Sequence, residues 1–113
     1  MSGRISTHKG TATFIAQRLT AALLLPLVIW FVWSTVRLSG AGIDEARAFI
    51  AAPFNAAMFA LVFVLSALHM RIGMNEIIDD YAHGGLRGVY KILNLFAALG
   101  AAALGLFGVF ALV

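Results

Sequence analysis

Cysteine is absent from the chain, so its own side chains can form neither a disulfide nor the thiolate ligands of an iron–sulfur cluster. Charge is also scarce, because Asp, Glu, Lys and Arg make up 12% of the 113 residues, where a soluble domain has about a quarter. Hydrophobic residues make up 62%, and the mean hydropathy is +0.96. A single water-soluble core of this size cannot bury that much apolar surface. The composition therefore excludes a soluble globular domain and indicates an integral membrane protein.

Clusters of basic residues are lacking as well, although the formal net charge is +3. Without such a patch or stripe the charge does not indicate a nucleic-acid partner. The basic residues flank three apolar stretches instead, each with about the 20 residues needed to cross roughly 30 Å of hydrocarbon. We predict an all-α protein with one membrane domain over residues 1–113 and three transmembrane helices. Their approximate bounds are 19–38, 48–70 and 91–113, and the second helix is expected to continue beyond the hydrocarbon to about residue 82.

The basic residues are distributed unevenly between the two sides of the membrane. Six belong to the N-terminal arm and the second connection: Arg4, Lys9, Arg18, Arg71, Arg87 and Lys91. Only Arg37 and Arg47 belong to the first connection. The positive-inside tendency then predicts a multi-pass protein with its N-terminus on the inner side and its C-terminus on the outer side, which for a cell inner membrane are the cytoplasm and the periplasm. The first apolar stretch is long and contains Trp30 and Trp33, so we expect it to remain as a span and not to be cleaved as a signal peptide.

The segments outside the spans carry few signals. The N-terminal arm, residues 1–10, is small and polar and is predicted to be extended. Asp44 in the first connection is expected at a helix N-cap or in a first helical turn. In the third span, Ala97, Ala101 and Gly105 recur every four residues, a spacing that favours close packing against another helix.

A histidine lies at the end of the second apolar stretch. Residues 48–70 contain no Asp, Glu, Lys or Arg, and His69 is the only histidine within a predicted span. Ionisable residues at membrane depth are costly and usually mark a functional site. A neutral imidazole suits the axial position of a haem iron, whose second histidine would come from another chain. A core histidine hydrogen-bonded to a polar neighbour, or a proton relay, remain alternatives.

The helix that carries this histidine is expected to present further polar residues on the same face. Five residues follow one another at spacings of three or four, which places them on one face of a helix. They are Ser66, His69, Gly73, Glu76 and Asp80. The missing side chain at position 73 leaves room either for a flat cofactor or for another helix. The pair Gly84-Gly85 is expected to end the helix with a left-handed cap.

Asp80 and Tyr81 have the chemistry of a quinone site. A quinone has two carbonyl acceptors, and its reduction consumes two protons, so the site needs a phenol or similar donor near an acid that can deliver protons. Tyr81 can donate to a carbonyl, and Asp80 can orient it or relay protons. The alternative is an interfacial aromatic residue beside solvated acids. Arg18 is either a flanking positive charge or a partner for a propionate or phosphate group.

Together these residues resemble the small cytochrome b anchor subunits of succinate dehydrogenase (respiratory complex II), in the form found in mitochondria and their bacterial relatives. The pattern that carries the resemblance is His69, Gly73 four residues later, and Asp80-Tyr81. The run Gln17-Arg18-Leu19-Thr20-Ala21 at the start of the first span also matches, as do the length, orientation and three-span layout.

The resemblance implies half of a cytochrome b anchor bundle. In it, His69 would be an axial ligand of a haem b shared with a companion cytochrome b anchor subunit, and Arg18 would lie near the haem propionates. Tyr81 would hydrogen-bond a carbonyl of the substrate ubiquinone, beside Asp80. The implied partners are an iron–sulfur subunit and a flavoprotein subunit, which would hold the iron–sulfur clusters and FAD. The chain itself would not bind succinate.

Three alternatives remain beside the succinate dehydrogenase anchor. One is a cofactor-free scaffold or assembly protein, in which the polar helix end is only a docking surface. A small transporter or proton-channel subunit is disfavoured, because the polar residues of the other spans, Ser34, Thr35 and Asn94, all lie near span ends. A fumarate reductase anchor is a variant of the same class, since the working direction depends on the quinone potential and the partners.

Overall fold

The chain forms four helices joined by short turns. The computed structural model describes the backbone of residues 2–113 and the side chains of residues 10–113. The helices are α1 (Ser2–Leu38), α2 (Ile43–Ala51), α3 (Pro53–Tyr81) and α4 (Gly85–Leu112). The described residues contain no strand, which confirms the all-α class. Gly10–Leu38 of α1, together with α3 and α4, are long and apolar enough to cross a membrane, which confirms the prediction of three spans.

Helix α3 is central, because both α1 and α4 pack against it. On one side Phe31 of α1 contacts Phe59 of α3, and Thr20 contacts His69. In these contacting pairs the residue number decreases along α1 as it increases along α3, so the two helices are antiparallel. Helix α4 is antiparallel to α3 as well, and the short α2 bridges α3 and α4 at one end. We call that end of the bundle the Arg37 end, and the opposite end, where α3 turns into α4, the Tyr81 end.

Aromatic rings join three helices at the Arg37 end. Phe59 of α3 packs edge-on against Trp30 of α1, with 4.9 Å between ring centroids, and against Phe49 of α2 at 6.4 Å. Such pairs contribute about 0.5–1.5 kcal/mol each beyond the area they bury. The guanidinium of Arg37 lies over the rings of Trp33 and Phe49, at 5.4 and 5.5 Å. These contacts hold α2 against the two neighbouring helices.

The second apolar stretch is divided between two helices, where the sequence predicted one continuous span from residue 48. Helix α2 ends at Ala51, and Ala52 is extended, with φ −57° and ψ 133°. Pro53 disfavours helical geometry in the residue before it, and it is well suited to the first position of a new helix. Asp44 lies in the first turn of α2, as predicted, although the N-cap itself is Gly42.

The prediction of an extended N-terminal arm is wrong, since α1 already begins at Ser2. A helix of 37 residues is about 55 Å long, which agrees with the 58 Å longest dimension of the molecule. Helix propagation is much less costly than nucleation. Once the first span is helical, the preceding residues extend the helix without needing an apolar face of their own.

The glycine pair does not end α3 as predicted. Helix α3 ends at Tyr81, and its C-cap is Ala82 in an extended conformation. Gly84 is the residue with a left-handed φ, +65°, and it is the N-cap of α4. The glycine therefore starts the third span and does not cap the second.

Only one member of the predicted small-residue stripe lies in the contact with α3. A Cβ atom added at Gly105 would lie 2.5 Å from Phe63 Cγ and 2.8 Å from Phe63 Cβ. Ala97 and Ala101 are exposed, and Ala98 is buried in their place. Within this chain Gly105 is thus the member of the stripe that lies against Phe63 of α3; packing of the exposed members against another chain stays a prediction.

Replacing Gly105 by alanine is expected to destabilise the bundle by about 1–3 kcal/mol, because the near part of the Phe63 side chain cannot move away without shifting a helix. The measurement is the temperature at which half of the protein, purified from membranes in mild detergent, has unfolded. Gly100→Ala is the control, since nothing lies within 4 Å of a Cβ atom there. Equal midpoints for the two variants would contradict the close packing at Gly105.

Candidate functional site

His69 lies near the Tyr81 end of the membrane-spanning part of α3. It is 16 residues from Pro53, or about 24 Å along the helix axis. A hydrocarbon layer of roughly 30 Å that starts at Pro53 would end near residue 73. Helix α3 has 29 residues, about 43 Å, so its last two turns extend beyond such a layer. With the layer placed there, His69 would lie inside the membrane near one surface, and Tyr81 would lie outside it.

The side chain of His69 is half-buried against α1. Its Nδ1 lies 2.9 Å from Oγ1 of Thr20, a residue that is 5% exposed. The same hydroxyl lies 2.8 Å from the Ala16 carbonyl oxygen and 3.0 Å from that of Gln17. This contact engages Nδ1 and leaves Nε2 without a hydrogen bond from any side chain in the described part of the chain. The Thr20 contact was not predicted, although both residues belong to the motifs quoted above.

The space beside Gly73 is occupied by a side chain of α1, in agreement with the second of the two uses predicted for it, a neighbouring helix. A Cβ atom at this position would lie 3.1 Å from Nε2 of Gln17. The amide oxygen of Gln17 is buried and, among the described residues, has no hydrogen-bond partner. Gln17 is one turn from Thr20, and Gly73 one turn from His69, so the two contacts form one continuous seam between α1 and α3.

A buried amide joins α3 to α4 at the same depth. Asn94 is 7% exposed, and its Nδ2 donates to the Arg71 carbonyl oxygen and to Asn75 Oδ1, both at 2.9 Å. Interhelical hydrogen bonds of this kind contribute about 0.6 kcal/mol on average in membrane proteins. The central helix is therefore tied to both neighbours within two turns of His69.

The two adjacent acids at the end of α3 have different surroundings. Oδ1 of Asp79 accepts from Arg87 Nη2 at 2.6 Å and from Lys91 Nζ at 2.7 Å. All three side chains are partly exposed, so each ion pair contributes no more than about 1 kcal/mol. Asp80 is exposed and takes no part in this cluster. Asp79 thus closes the turn between α3 and α4, while Asp80 is left facing outward.

The structure does not bring the four predicted site residues together. Tyr81 is 80% exposed and lies about 18 Å beyond His69 along the helix axis. Arg18 is exposed, with its guanidinium carbon 4.9 Å from the centroid of the Phe14 ring, and it makes no ion pair with any residue in the described part. Among the side chains of residues 10–113, His69 is the only one of the four with a hydrogen-bond partner on another helix.

The surface formed by residues 10–113 includes two open grooves. The larger, about 640 Å³, lies at the Arg37 end between α1, α3 and α4, above the rings of Phe59 and Phe63. The smaller, about 310 Å³, lies between α3 and α4 near the Tyr81 end and includes Tyr90 and Asn94 in its lining. Residues 10–113 contain no group of three or more His, Cys, Asp or Glu side chains arranged to hold a metal ion. A haem iron, by contrast, needs a single imidazole from each side.

Comparison with known proteins identifies the family. Residues 1–109 match the family described as succinate dehydrogenase/fumarate reductase transmembrane subunit. The chain is 30% identical to the succinate dehydrogenase hydrophobic membrane anchor subunit of Paracoccus denitrificans over 104 aligned residues. The alignment covers 89% of this chain and 81% of that protein. The chain is 26% identical over 98 residues to the subunit of the same name from Rickettsia felis, covering 85% and 82%. No solved structure gives a significant match. The chain belongs to the succinate dehydrogenase/fumarate reductase transmembrane-subunit family.

Proposed function

We propose that this chain, as a member of that family, anchors a succinate:ubiquinone oxidoreductase in the inner membrane, co-binds a haem b and forms part of the ubiquinone reduction site. The observation that carries the proposal is His69. It is an imidazole at membrane depth whose Nδ1 is engaged by Thr20, while its Nε2 is free to bind a metal. The family match and the names of the two relatives support the role of anchor.

The residues around His69 fit one side of a haem. The ring is held against α1 at one nitrogen, so the other nitrogen can bind iron without loss of the contact. A companion cytochrome b anchor subunit would supply the second axial ligand. When bound, the haem supplies a centre that can take up and release one electron. Arg18, on the exposed side of α1, would be available to pair with a propionate at the membrane surface.

Tyr81 and Asp80 are proposed to act on the quinone. The phenol Oη of Tyr81 would donate a hydrogen bond to a quinone carbonyl, and Asp80 would deliver protons to the oxygen as electrons arrive. Because both side chains are exposed, this chain would form only one wall of such a site, and partner subunits would form the others. Asp79 is excluded from the same role by its ion pairs with Arg87 and Lys91.

The partners follow from what the chain leaves uncovered. Large apolar side chains are exposed along α1 and α4, including Leu25, Phe96 and Phe107, and a companion anchor subunit and lipid would cover them. An iron–sulfur subunit and a flavoprotein subunit would dock at the Tyr81 end. Electrons from succinate would pass through FAD and the iron–sulfur clusters of those subunits to ubiquinone beside Tyr81.

Replacing His69 by alanine is expected to remove or alter the haem, because the iron loses an axial ligand. The measurement is a reduced-minus-oxidised optical spectrum of the complex purified through this chain. Wild type should show a low-spin b-type haem, as should the control His83→Ala, whose histidine is exposed in the turn after α3. A wild-type complex that contains its dehydrogenase partners but no haem would refute haem binding. A complex without such partners would favour the cofactor-free scaffold.

Replacing Tyr81 by phenylalanine is expected to lower succinate–quinone reductase activity about tenfold, since the variant loses one hydrogen bond to the carbonyl and an associated proton donor. Succinate oxidation by a soluble dye should be unchanged, because electrons leave for the dye before reaching the quinone. Tyr90→Phe is the matched control, as it removes the chain's other phenol at the same end of the bundle. An equal loss of both activities in Tyr81→Phe would indicate misassembly and not a quinone site.

The orientation can be tested with alkaline phosphatase, which is active only after export to the periplasm. Fusions after Gly40 and after Val113 are expected to be active, and a fusion after Gly84 inactive. The physical reason is the excess of basic residues in the N-terminal arm and the second connection. The reverse pattern would place the Tyr81 end in the periplasm, away from a cytoplasmic dehydrogenase.

A further inference from the structure

The contact between Thr20 and His69 is the only side-chain hydrogen bond between α1 and α3 in the described part of the chain. Thr20 is 5% exposed, so water has little access to the hydroxyl. Its Oγ1 lies within 3.0 Å of three groups, namely the carbonyl oxygens of Ala16 and Gln17 and the Nδ1 of His69. The hydroxyl has only one proton to donate.

The two carbonyl oxygens favour one direction for the contact. Both can only accept, so a hydroxyl proton directed at either of them leaves the Thr20 lone pairs facing His69. In that arrangement the Nδ1 nitrogen carries a proton and donates it to Oγ1. A neutral imidazole with a proton on Nδ1 has its lone pair on Nε2. The hydroxyl, one carbonyl oxygen and Nδ1 are then satisfied together, and the remaining ring nitrogen, Nε2, is one that can bind a metal.

We propose that Thr20 is a positioning residue for His69: its hydroxyl fixes the imidazole in the Nδ1-protonated tautomer and holds Nε2 in place for the haem iron. This inference rests on the proposed haem ligation by His69. Metal-binding histidines generally donate their second ring N–H to a neighbouring acceptor, which orients the ring and makes it a stronger ligand. Thr20 is such an acceptor, supplied by a different helix from the one that carries the ligand.

The neighbouring contacts keep this acceptor in register. Gln17 occupies the space beside Gly73 one turn away, and the aromatic contacts of Phe31 with Phe59 lie further along the same seam. A sliding of α1 along α3 would therefore disturb several contacts together. The hydroxyl is held at the ring by the packing of two whole helices.

The test compares Thr20→Val with Thr20→Ser in the purified complex. Valine keeps the shape of the side chain and removes the acceptor, while serine keeps the hydroxyl. Thr35→Val is the matched control, because the Thr35 hydroxyl also donates to the carbonyl four residues earlier, at 2.9 Å, but contacts no histidine. The readouts are the haem-to-flavin ratio, the haem midpoint potential and the electron paramagnetic resonance spectrum of the ferric haem.

Thr20→Val is expected to bind haem about 10- to 100-fold more weakly, as is found when such acceptors are removed. Its haem-to-flavin ratio should fall. The haem that remains should have a more positive midpoint potential, because a less basic imidazole stabilises ferric iron less well, and an altered ferric spectrum. Thr20→Ser and Thr35→Val should match wild type in all three readouts. If Thr20→Val does not assemble, Thr20→Ala carries the same expectation.

Three results would overturn the inference: unchanged readouts in Thr20→Val, an equal effect in Thr20→Ser, or an equal effect in Thr35→Val. These results differ from a failure of the proposed function. If His69→Ala retains the wild-type haem spectrum, His69 is not the ligand and both proposals fail. If His69→Ala loses the haem while Thr20→Val is unchanged, only the role of Thr20 is refuted.

Discussion

Hydrocarbon offers no hydrogen bonds, so every polar group inside the membrane must find its partner within the protein. This constraint explains the helices, whose backbone groups are satisfied internally, and it explains the few polar contacts between them. The Thr20 hydroxyl is satisfied by its own helix and by His69, and Asn94 by the preceding span. The Gln17 amide oxygen and the Ser34 hydroxyl are buried without a partner among the described residues, and both lie on α1.

The number and approximate position of the spans could be predicted from the sequence, because bilayer thickness fixes the length of an apolar helix. The break at Ala52 was missed, although Pro53 signalled it, because the apolar run continues through the break and hydropathy alone cannot reveal a change of helix. The helical N-terminal arm was missed because it depends on propagation from the span and not on its own composition. Both errors concern the ends of elements, where the bilayer sets no length.

Half of the candidate site was accessible to the same reasoning. The depth of His69 follows from the length of the uncharged run before it, and the polar end of α3 follows from residue type. The Thr20 contact depends on how α1 is aligned along α3. The residue periodicity of a single helix carries no information about that alignment. For the same reason the sequence could not separate Asp79 from Asp80. The two are adjacent along the chain, but one faces the basic residues of α4 and the other faces outward.

The ion pairs of Asp79 join residues that are well separated along the chain. Arg87 and Lys91 lie 8 and 12 residues beyond Asp79 and meet it only after Gly84 has turned the chain and α4 has packed on α3. The two ion pairs therefore exist only in the closed hairpin, and they make its closure an electrostatic event: with α4 unpacked from α3, the carboxylate and both cations would be separately hydrated.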